Sequence, residues 1–377
     1  NIEMAYKIYS ENRERITAIS SEIVIAGLNI SVKRIEEALE KSKHALMEYQ
    51  SLKIPESIRA SYIKLGEVML ARSKLEDALE YFLLADKINI AKPMLDSVYT
   101  VILAGITRYI QGDLSDALMY CERGTAMAGE LYSREWEVFN LFFKTRLLFE
   151  AGAYGKCIVM LEKLLSMLSL YKIENGERVI YSWLARSFIY NGNYTVGLRI
   201  LEHLGRSFLK AVFSAEGYYR LGDYKKAVRA IEEANSTVWD RASAEYRFLP
   251  GERILWQDGY YHIEGRCLGL ADSMLKRYSD SLLWFLYFLT GRKKKALDGF
   301  EDMLKTKIQE FDPHLHYYYY LYSECLEGER FTMLNRAWKV LQERVNKVSS
   351  PEVKREYRER NYWNKQIYER AQSYKLT

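Results

Sequence analysis

Proline is scarce in this sequence, with five residues among 377. A β-rich fold needs many turns and usually more proline, so the scarcity favours long helices joined by short connections. Long apolar runs are missing too. The run from Leu282 to Leu289 is far shorter than the roughly eighteen residues that a membrane span requires. The sequence therefore predicts a helical fold without a membrane span.

Motifs for catalysis, cofactors and metals are also missing. The sequence contains no GxxxxGK[ST] phosphate loop, no GxGxxG after a strand and no GxSxG turn. None of the five histidines forms HExxH, and His314 and His316, two residues apart on a helix, do not share a face. No two of the cysteines have CxxC spacing; they are Cys121, Cys157, Cys267 and Cys325. We expect no catalytic, cofactor or metal site, and a protein that is not an enzyme.

Charge of one sign is not in large excess. The chain has 55 basic and 50 acidic residues, a formal net charge of +5, which is too balanced for a nucleic-acid binder. The surplus is local, because Leu341 to Thr377 contains nine Lys or Arg against five Asp or Glu. Such a stretch is typical of a solvated terminal helix; the alternative is a basic handle for an acidic partner or a membrane surface.

The chain begins at Asn1 rather than Met. This start fits a fragment, a processed form or the ordered part of a longer protein, including one that has lost a signal or anchor. The compartment therefore stays open between cytoplasm and periplasm.

A repeat of about forty residues organises the sequence. In its clearest unit, Gly66 is followed by Ala78, Phe82 and Ala85, so that small residues let two helices approach while large ones fill the space between them. The small anchor residues of successive units are Ala38, Ala78, Ala117, Cys157, Gly197, Ala227 and Ala296. A glycine precedes the second helix in several units: Gly112, Gly152, Gly192, Gly222 and Gly291.

Each unit predicts a helix that ends near the glycine and a second helix after it. The stretch Gly222-Asp-Tyr224-Lys-Lys-Ala227 resembles the turn of the tetratricopeptide repeat family, and residues 59 to 306 share the resemblance. The family repeats at about 34 residues, so the longer period and the missing proline after the second helix suggest a divergent member. A HEAT or armadillo unit is the alternative, which the Gly-x-Tyr turn disfavours. The resemblance implies an all-α, right-handed α-solenoid of antiparallel helix pairs.

The predicted organisation is one solenoid over residues 1–377. Residues 1–55 form divergent helices, and residues 56–306 form recognisable repeats, irregular over 235–277 through a degenerate repeat or an insertion. Helix is expected from about Ile254 to Lys276. Residues 307–377 comprise a degenerate helix pair, Pro313 to Val345, and a polar capping helix that starts at Pro351.

The resemblance also implies where a partner would bind, because the first helix of each pair lines the concave groove in this family. Carried over by register, the candidates are Tyr99, Tyr109, Phe142, Arg146, Phe149, Arg186, Tyr190, Tyr219 and Arg220. Tyrosine and arginine dominate interface energies, and Arg146 and Arg186 hold the same repeat position in successive units. The alternatives are core packing for the aromatic residues and ion pairs, with Glu150 for example, for the arginines.

Two further features bear on binding. Ile63 and Glu67 stand where the chaperone-binding members of the family have Lys and Asn, so a carboxylate clamp of that kind is not expected. Four consecutive tyrosines, Tyr317 to Tyr320, followed by Tyr322, go right round one helix, so we expect at least one to be exposed as a contact surface.

The sequence thus favours a scaffold or adaptor that binds a protein or peptide segment and helps to assemble a larger complex, such as envelope, secretion or motility machinery. The alternative is a regulatory domain that senses a peptide or small ligand. An enzyme has no support from the motifs, and nucleic acid is not an expected partner. Self-association through the terminal helices, above all Ile2 to Leu28, is a further expectation.

Overall fold

The computed structural model describes residues 2–31, 34–88, 95–171, 177–205, 207–237, 264–305 and 312–376. Within these ranges the chain forms eighteen helices and no strand. Consecutive helices pack as nine pairs, and each pair also packs on the next along the chain. The predicted all-α solenoid of antiparallel helix pairs is confirmed.

We call the two helices of each pair helix A and helix B. The pairs are α1 (Ile2–Ser31) with α2 (Ile35–Leu52), α3 (Pro55–Ala71) with α4 (Leu75–Lys87), α5 (Leu95–Gln111) with α6 (Leu114–Glu130), α7 (Arg134–Glu150) with α8 (Tyr154–Tyr171), α9 (Glu177–Tyr190) with α10 (Tyr194–His203), α11 (Phe208–Arg220) with α12 (Tyr224–Thr237), α13 (Glu264–Leu289) with α14 (Lys293–Lys305), α15 (Leu315–Cys325) with α16 (Arg330–Lys347), and α17 (Pro351–Glu359) with α18 (Tyr362–Ser373).

The turn inside a pair forms because glycine can adopt positive φ without a steric penalty. Gly152 has φ +83°, and its amide donates to the Phe149 carbonyl oxygen while that of Ala153 donates to the Leu148 carbonyl oxygen, both at 2.9 Å. This is the Schellman pattern that closes a helix. The other predicted turn glycines also have positive φ: Gly112, Gly192, Gly222 and Gly291.

The small residues of the repeat bring the paired helices together, as predicted. A Cβ atom added at Gly66 would lie 2.3 Å from Cε1 of Phe82, so only glycine lets α3 approach α4 this closely. The alanine and cysteine anchors are completely buried: Ala38, Ala78, Ala117, Cys157, Ala227 and Ala296.

In the central repeats the A helices are largely enclosed, whereas the B helices keep an exposed face. In α5 every residue from Ser97 to Gly105 is buried, but in α4 Glu76, Asp77 and Glu80 are exposed. Side chains on the A helices are therefore packed inside the molecule, which determines how the candidate binding residues are presented.

The end of the chain differs from the expectation of one polar capping helix. It forms two helices, α17 and α18, which we call the C-terminal arm. Pro351 stands at the start of α17. The Asn361 side chain accepts a hydrogen bond from the Asn364 amide, 3.1 Å, and so caps the start of α18. The arm folds back against repeats far earlier in the chain.

Two other expectations are settled differently. The prediction that a tyrosine of the 317–320 run is exposed is wrong, because α15 is surrounded by α13, α14, α16 and α18. Tyr317, Tyr318, Tyr320 and Tyr322 are buried and Tyr319 is half-buried. The irregular stretch predicted at 235–277 falls mostly on residues 238–263, which lie outside the described residues, as does the first part of the expected 254–276 helix; α13 is described from Glu264.

Candidate functional site

The nine predicted binding residues all lie on four successive A helices, α5, α7, α9 and α11. We call the surface that they form the inner surface. Five of them are buried: Tyr99, Phe142, Phe149, Arg186 and Tyr190. The other four are half-buried: Tyr109, Arg146, Tyr219 and Arg220. Register therefore placed them on the expected helices, but they do not line an open groove.

A buried ion pair stands at the centre of the inner surface. Arg186 donates from Nε and Nη2 to the two carboxylate oxygens of Glu216, at 2.9 and 2.7 Å. The hydroxyls of Tyr190 and Tyr278 donate to the same carboxylate oxygen, at 2.9 and 2.6 Å. The alternative of an ion pair with a neighbouring helix therefore applies to Arg186, with Glu216 rather than Glu150 as the partner. Glu216 holds the same repeat position one unit later, eleven residues before its anchor Ala227, and therefore faces Arg186 directly.

Aromatic rings enclose this pair. The guanidinium carbon of Arg186 lies 4.5 Å from the ring centre of Phe149 and 4.6 Å from that of Phe213, which are cation–π distances. Burial alone would lower the pKa of Arg186, but the interactions with Glu216, Tyr190 and Tyr278 together outweigh burial and raise the pKa. The Arg186 guanidinium thus keeps its charge, the Glu216 carboxylate balances that charge, and Nε and Nη2 both donate hydrogen bonds to it.

Arg146 is in a different state, although it holds the same repeat position as Arg186. Its guanidinium carbon lies 5.2 Å from the ring centre of Trp183, and among the described residues it makes no hydrogen bond or ion pair. Trp183 is buried, and its Nε1–H has no acceptor in the described part of the chain. Arg146 is only half-buried, so solvent can reach a guanidinium that has no ion-pair partner within the described part of the chain; Arg220, which donates to the Tyr194 hydroxyl at 3.4 Å, is in the same state.

Glu150, one turn after Arg146, does not form the ion pair suggested as the alternative. Its carboxylate instead lies beside His314, the residue before α15, with Nε2 3.6 Å from Oε1. Burial alone would raise the pKa of Glu150, but His314 and the charges of Arg186 and Arg146 lower it overall. Burial raises the pKa of Tyr109, on the neighbouring helix α5, well above the ordinary value. The charge of Glu150 adds to this rise, and the charge of Arg146 opposes it.

Tyr99 stands apart from the other predicted residues. Its hydroxyl donates to Glu67 Oε1 at 2.6 Å, its ring packs on Trp136, and Lys64 pairs with the same Glu67 carboxylate. Ile63 is buried. The first recognisable repeat thus contains a satisfied core network, and not the Lys and Asn pair of a carboxylate clamp.

The C-terminal arm covers the ends of the A helices. Arg220 lies 3.8 Å from the ring centre of Tyr362, and the Tyr362 amide donates to the Tyr154 hydroxyl at 2.9 Å. Trp363 stacks on Tyr219, with ring centres 5.9 Å apart and planes inclined by 20°. Sequence reasoning missed the arm because these contacts join residues that lie far apart in the chain, 208 positions for Tyr362 and Tyr154.

The contact is close at the backbone as well. The Asn361 side-chain amide donates to the Glu150 carbonyl oxygen at 2.9 Å, and a Cβ atom added at Gly152 would lie 2.3 Å from the Asn361 nitrogen. The indole N–H of Trp363 donates to the Tyr278 hydroxyl at 3.0 Å, which joins the arm to the Arg186 and Glu216 network. Tyr154, which the motif assigns to the turn, thus also serves as part of the surface on which the arm docks.

Reactive groups elsewhere are shielded. Burial raises the pKa of the Cys325 thiol to about 12 and raises the pKa values of Cys121 and Cys157 also, so these thiols are poor nucleophiles. His316 is buried beside Asn364, 2.8 Å from Nε2 to Oδ1. Among the described residues no cluster of His, Cys, Asp or Glu could hold a metal ion. In that part of the chain every helix is too short or too polar to span a bilayer.

Comparison with known proteins supports the helical-repeat assignment. A family model described as a C-terminal domain, TP_0123_C, matches residues 275–375, from within α13 to beyond α18. A TPR repeat-containing protein of Treponema pallidum (strain Nichols) is 20% identical over 370 residues, which cover 90% of this chain and 42% of that protein. The chain is similar to tetratricopeptide-repeat proteins. It spans less than half the length of this curated relative.

Solved tetratricopeptide-type structures are distant. A Rap protein complexed with competence and sporulation factor is 11% identical, with a TM-score of 0.49 and coverage of 96% of this chain and 98% of that one. A tetratricopeptide repeat protein of Parabacteroides merdae ATCC 43184 is 15% identical, with a TM-score of 0.41 and coverage of 79% and 96%. The relatives found by sequence and by structure are thus described as tetratricopeptide-type proteins.

Proposed function

We propose that the protein is a non-catalytic scaffold or adaptor that binds a protein partner through the inner surface and helps to assemble a larger complex, such as envelope, secretion or motility machinery. The observation that carries this proposal is Arg146, a half-buried guanidinium that faces Trp183 and makes no hydrogen bond or ion pair with the described residues. Arginine has five donors in a planar fork and is the cation that interfaces use most.

The location of Arg146 supports this role. The guanidinium of Arg186 in the next repeat is already paired with Glu216. Arg146 is therefore the one of the two that can donate hydrogen bonds to a partner without breaking an existing ion pair. Phe142 and Trp183 pack edge to face beside it, with ring centres 6.3 Å apart. A cation next to buried aromatic rings is what a central interface anchor requires, because the surrounding apolar surface excludes water.

The test is affinity capture by the full chain from a lysate of the source organism. The variant is Arg146→Glu, and the matched control is Arg199→Glu, which makes the same charge change at an exposed position on α10. We expect wild type and Arg199→Glu to retain the same specific protein and Arg146→Glu to lose it while keeping its helical circular dichroism. Equal retention by all three would show that the inner surface is not the binding site.

Arg186 is not suitable for this test, although it holds the equivalent repeat position. A glutamate there would face Glu216 inside the protein, and two buried carboxylates without a cation would destabilise the fold. Loss of binding by such a variant would therefore report misfolding, whereas Arg146 can be changed without breaking a bond among the described residues.

The alternative is a regulatory domain that senses a peptide or small ligand. The observation in its favour is that none of the nine predicted binding residues is exposed, because the helices and the C-terminal arm enclose the inner surface. An enclosed site suits a small ligand better than a large protein face. If capture retains no protein, a thermal-shift screen of small ligands with the same two variants becomes the test.

A further inference from the structure

The solvent-facing side of the B helices changes its charge along the chain. Three positions of these helices are exposed in α2, α4, α12 and α14: two residues and one residue before the repeat anchor, and two residues after it. In α2 and α4 all three positions are acidic, and in α12 all three are basic. The helices between them, α6, α8 and α10, have a single charge at these positions. The sign therefore changes once between the first repeats and the later ones.

One side of this contrast is an acidic surface on α2 and α4, which we call the acidic face. Its six carboxylates hold equivalent positions in the two helices and are all exposed: Glu36, Glu37 and Glu40 on α2, and Glu76, Asp77 and Glu80 on α4. Three of them have a basic neighbour, at 3.4 to 3.8 Å. Glu40 and Glu80 make no ion pair with the described residues. The acidic face therefore keeps negative charge that its own surroundings do not balance.

The other side is a basic surface on α12 and α14, which we call the basic face. Its six cations are exposed: Lys225, Lys226 and Arg229 on α12, and Lys293, Lys294 and Lys295 on α14. The two helices adjoin, because Nη1 of Arg292, just before α14, donates to Glu232 of α12 at 2.9 Å. Asp223 pairs with Lys226 at 3.0 Å, but three of the cations make no ion pair within the described part of the chain: Lys225, Arg229 and Lys294.

Helix stability explains the acidic face but not the basic one. The first turn of a helix carries partial positive charge, so acidic side chains stabilise it and cations destabilise it. The acidic residues in the first turns of α2 and α4 follow this rule. The lysines in the first turns of α12 and α14 oppose it. Cations that weaken their own helices and lie on an exposed surface indicate that this surface binds something anionic.

We propose that the protein self-associates head to tail, with the acidic face of one copy against the basic face of the next. The two faces have opposite charge, and each combines two successive B helices. Because the faces belong to different repeats, the contact is heterologous: it repeats from copy to copy and gives a ring or a filament. Exposed charge contributes more to orientation and association rate than to affinity, so the association should be dynamic and sensitive to salt.

This contact leaves the inner surface free, because it uses B helices whereas the inner surface lies on A helices. Self-association would therefore place several inner surfaces side by side, which goes beyond the proposed binding of one partner by one copy. The two proposals are separable by mutation. Arg146→Glu should self-associate as wild type does, and variants of the two faces should keep the inner surface unchanged.

The first measurement is the mass of the full chain in solution, by sedimentation velocity, at two salt concentrations. At about 20 mM salt we expect the mean mass to rise with protein concentration. At about 500 mM, where the screening length falls to a few Å, we expect the monomer. A wild type that stays monomeric at low salt, or an association that salt does not weaken, would overturn the proposal.

The decisive test mixes two variants. The acidic-face variant is Glu40→Lys/Glu80→Lys, and the basic-face variant is Arg229→Glu/Lys294→Glu. Each substitution changes the charge by two, which brings the altered face close to neutral. Either variant alone should be a monomer with the circular dichroism of wild type. Mixed at equal concentration, they should form a 1:1 complex and nothing larger, because only one acidic face and one basic face remain.

The matched controls are Glu162→Lys and Lys163→Glu, which make the same charge changes at exposed positions of α8 and should associate as wild type does. Association that persists in either face variant, or a mixture that stays monomeric, would show that the faces do not bind each other. Persistence in both would place the contact elsewhere, for instance at Ile2 to Leu28. A wild type that stays monomeric but binds anionic lipid vesicles would assign the basic face to a membrane surface and reject the self-contact.

Discussion

Arg186 and Glu216 show how the chain accommodates charge inside a helical repeat. Moving two charges out of water costs several kcal/mol for each ion, and their attraction offsets this only when the remaining hydrogen-bonding capacity is satisfied. Here the carboxylate accepts four hydrogen bonds, two from Arg186 and one each from Tyr190 and Tyr278. The cost of burying the two charges is therefore offset only while Arg186 and Glu216 are both present.

This dependence gives a prediction for single and double substitutions. Glu216→Ala should lower the free energy of unfolding by about 3–5 kcal/mol, because it leaves the Arg186 charge buried and unpaired. The double variant Arg186→Met/Glu216→Leu should be clearly more stable than Glu216→Ala, since no charge is left inside. Denaturant unfolding monitored by circular dichroism measures both. If Glu216→Ala costs under about 1 kcal/mol, the pair behaves like a surface pair and its burial is not important.

Part of this network could be predicted from the sequence. The repeat anchors place Arg146, Arg186 and Glu216 at one position of successive A helices, so the register already implies that Arg186 has a carboxylate beside it and that Arg146 does not. Tyr278 and Trp363 could not be found in this way. Their contacts with the network depend on how the solenoid curves over several repeats, which a pattern of neighbouring residues does not determine.

At the scale of helices, α18 has a double role. As the B helix of the last pair it buries Ile367 and Ala371, where the sequence predicted only one capping helix from Pro351 onward. Its first turn, in addition, contacts the turn between α7 and α8 through Asn361 and Tyr362. Gly152 in that turn is therefore constrained twice, by its positive φ and by the arm backbone that touches it.

A comparison of alanine substitutions at Gly152 and Gly192 separates the effect of positive φ from the effect of the arm contact. Both have positive φ, +83° and +94°, but an added Cβ atom at Gly192 would meet nothing within 4 Å, whereas at Gly152 it would meet Asn361 and Arg360. Alanine at either position should cost about 1–2 kcal/mol through backbone strain. Gly152→Ala should cost about 1–3 kcal/mol more, because the arm must shift. Thermal and denaturant unfolding of the two variants test this, and equal losses would mean that the arm does not press on this turn.

At the scale of the whole molecule, the C-terminal arm and the end of α16 make the solenoid close on itself. Beyond the contacts at Gly152, the Lys347 side chain donates to the Gln111 carbonyl oxygen at 3.0 Å, and the Ser350 amide donates to the Ser115 hydroxyl at 3.0 Å. Most of these bonds use backbone atoms, for which the sequence has no pattern. The closed part runs from α5 to α18, so the two ends of this segment stabilise each other.

Closure should change which helices are destabilised by a defect at one place in the chain. In an open solenoid each repeat contacts only its neighbours, and a local defect loosens only the adjacent repeats. Here Trp363→Ala, which removes the contacts with Tyr219 and Tyr278, should increase amide hydrogen exchange in the arm and also around residues 111–154, far earlier in the chain. Leu39→Ala, a core defect in α2, should increase exchange only near α1 to α4. Hydrogen exchange followed by mass spectrometry resolves these segments. If exchange in Trp363→Ala rises only from α15 to α18, the contacts across the closure contribute little free energy, and the inner surface is then covered by an arm that a partner could displace at low cost.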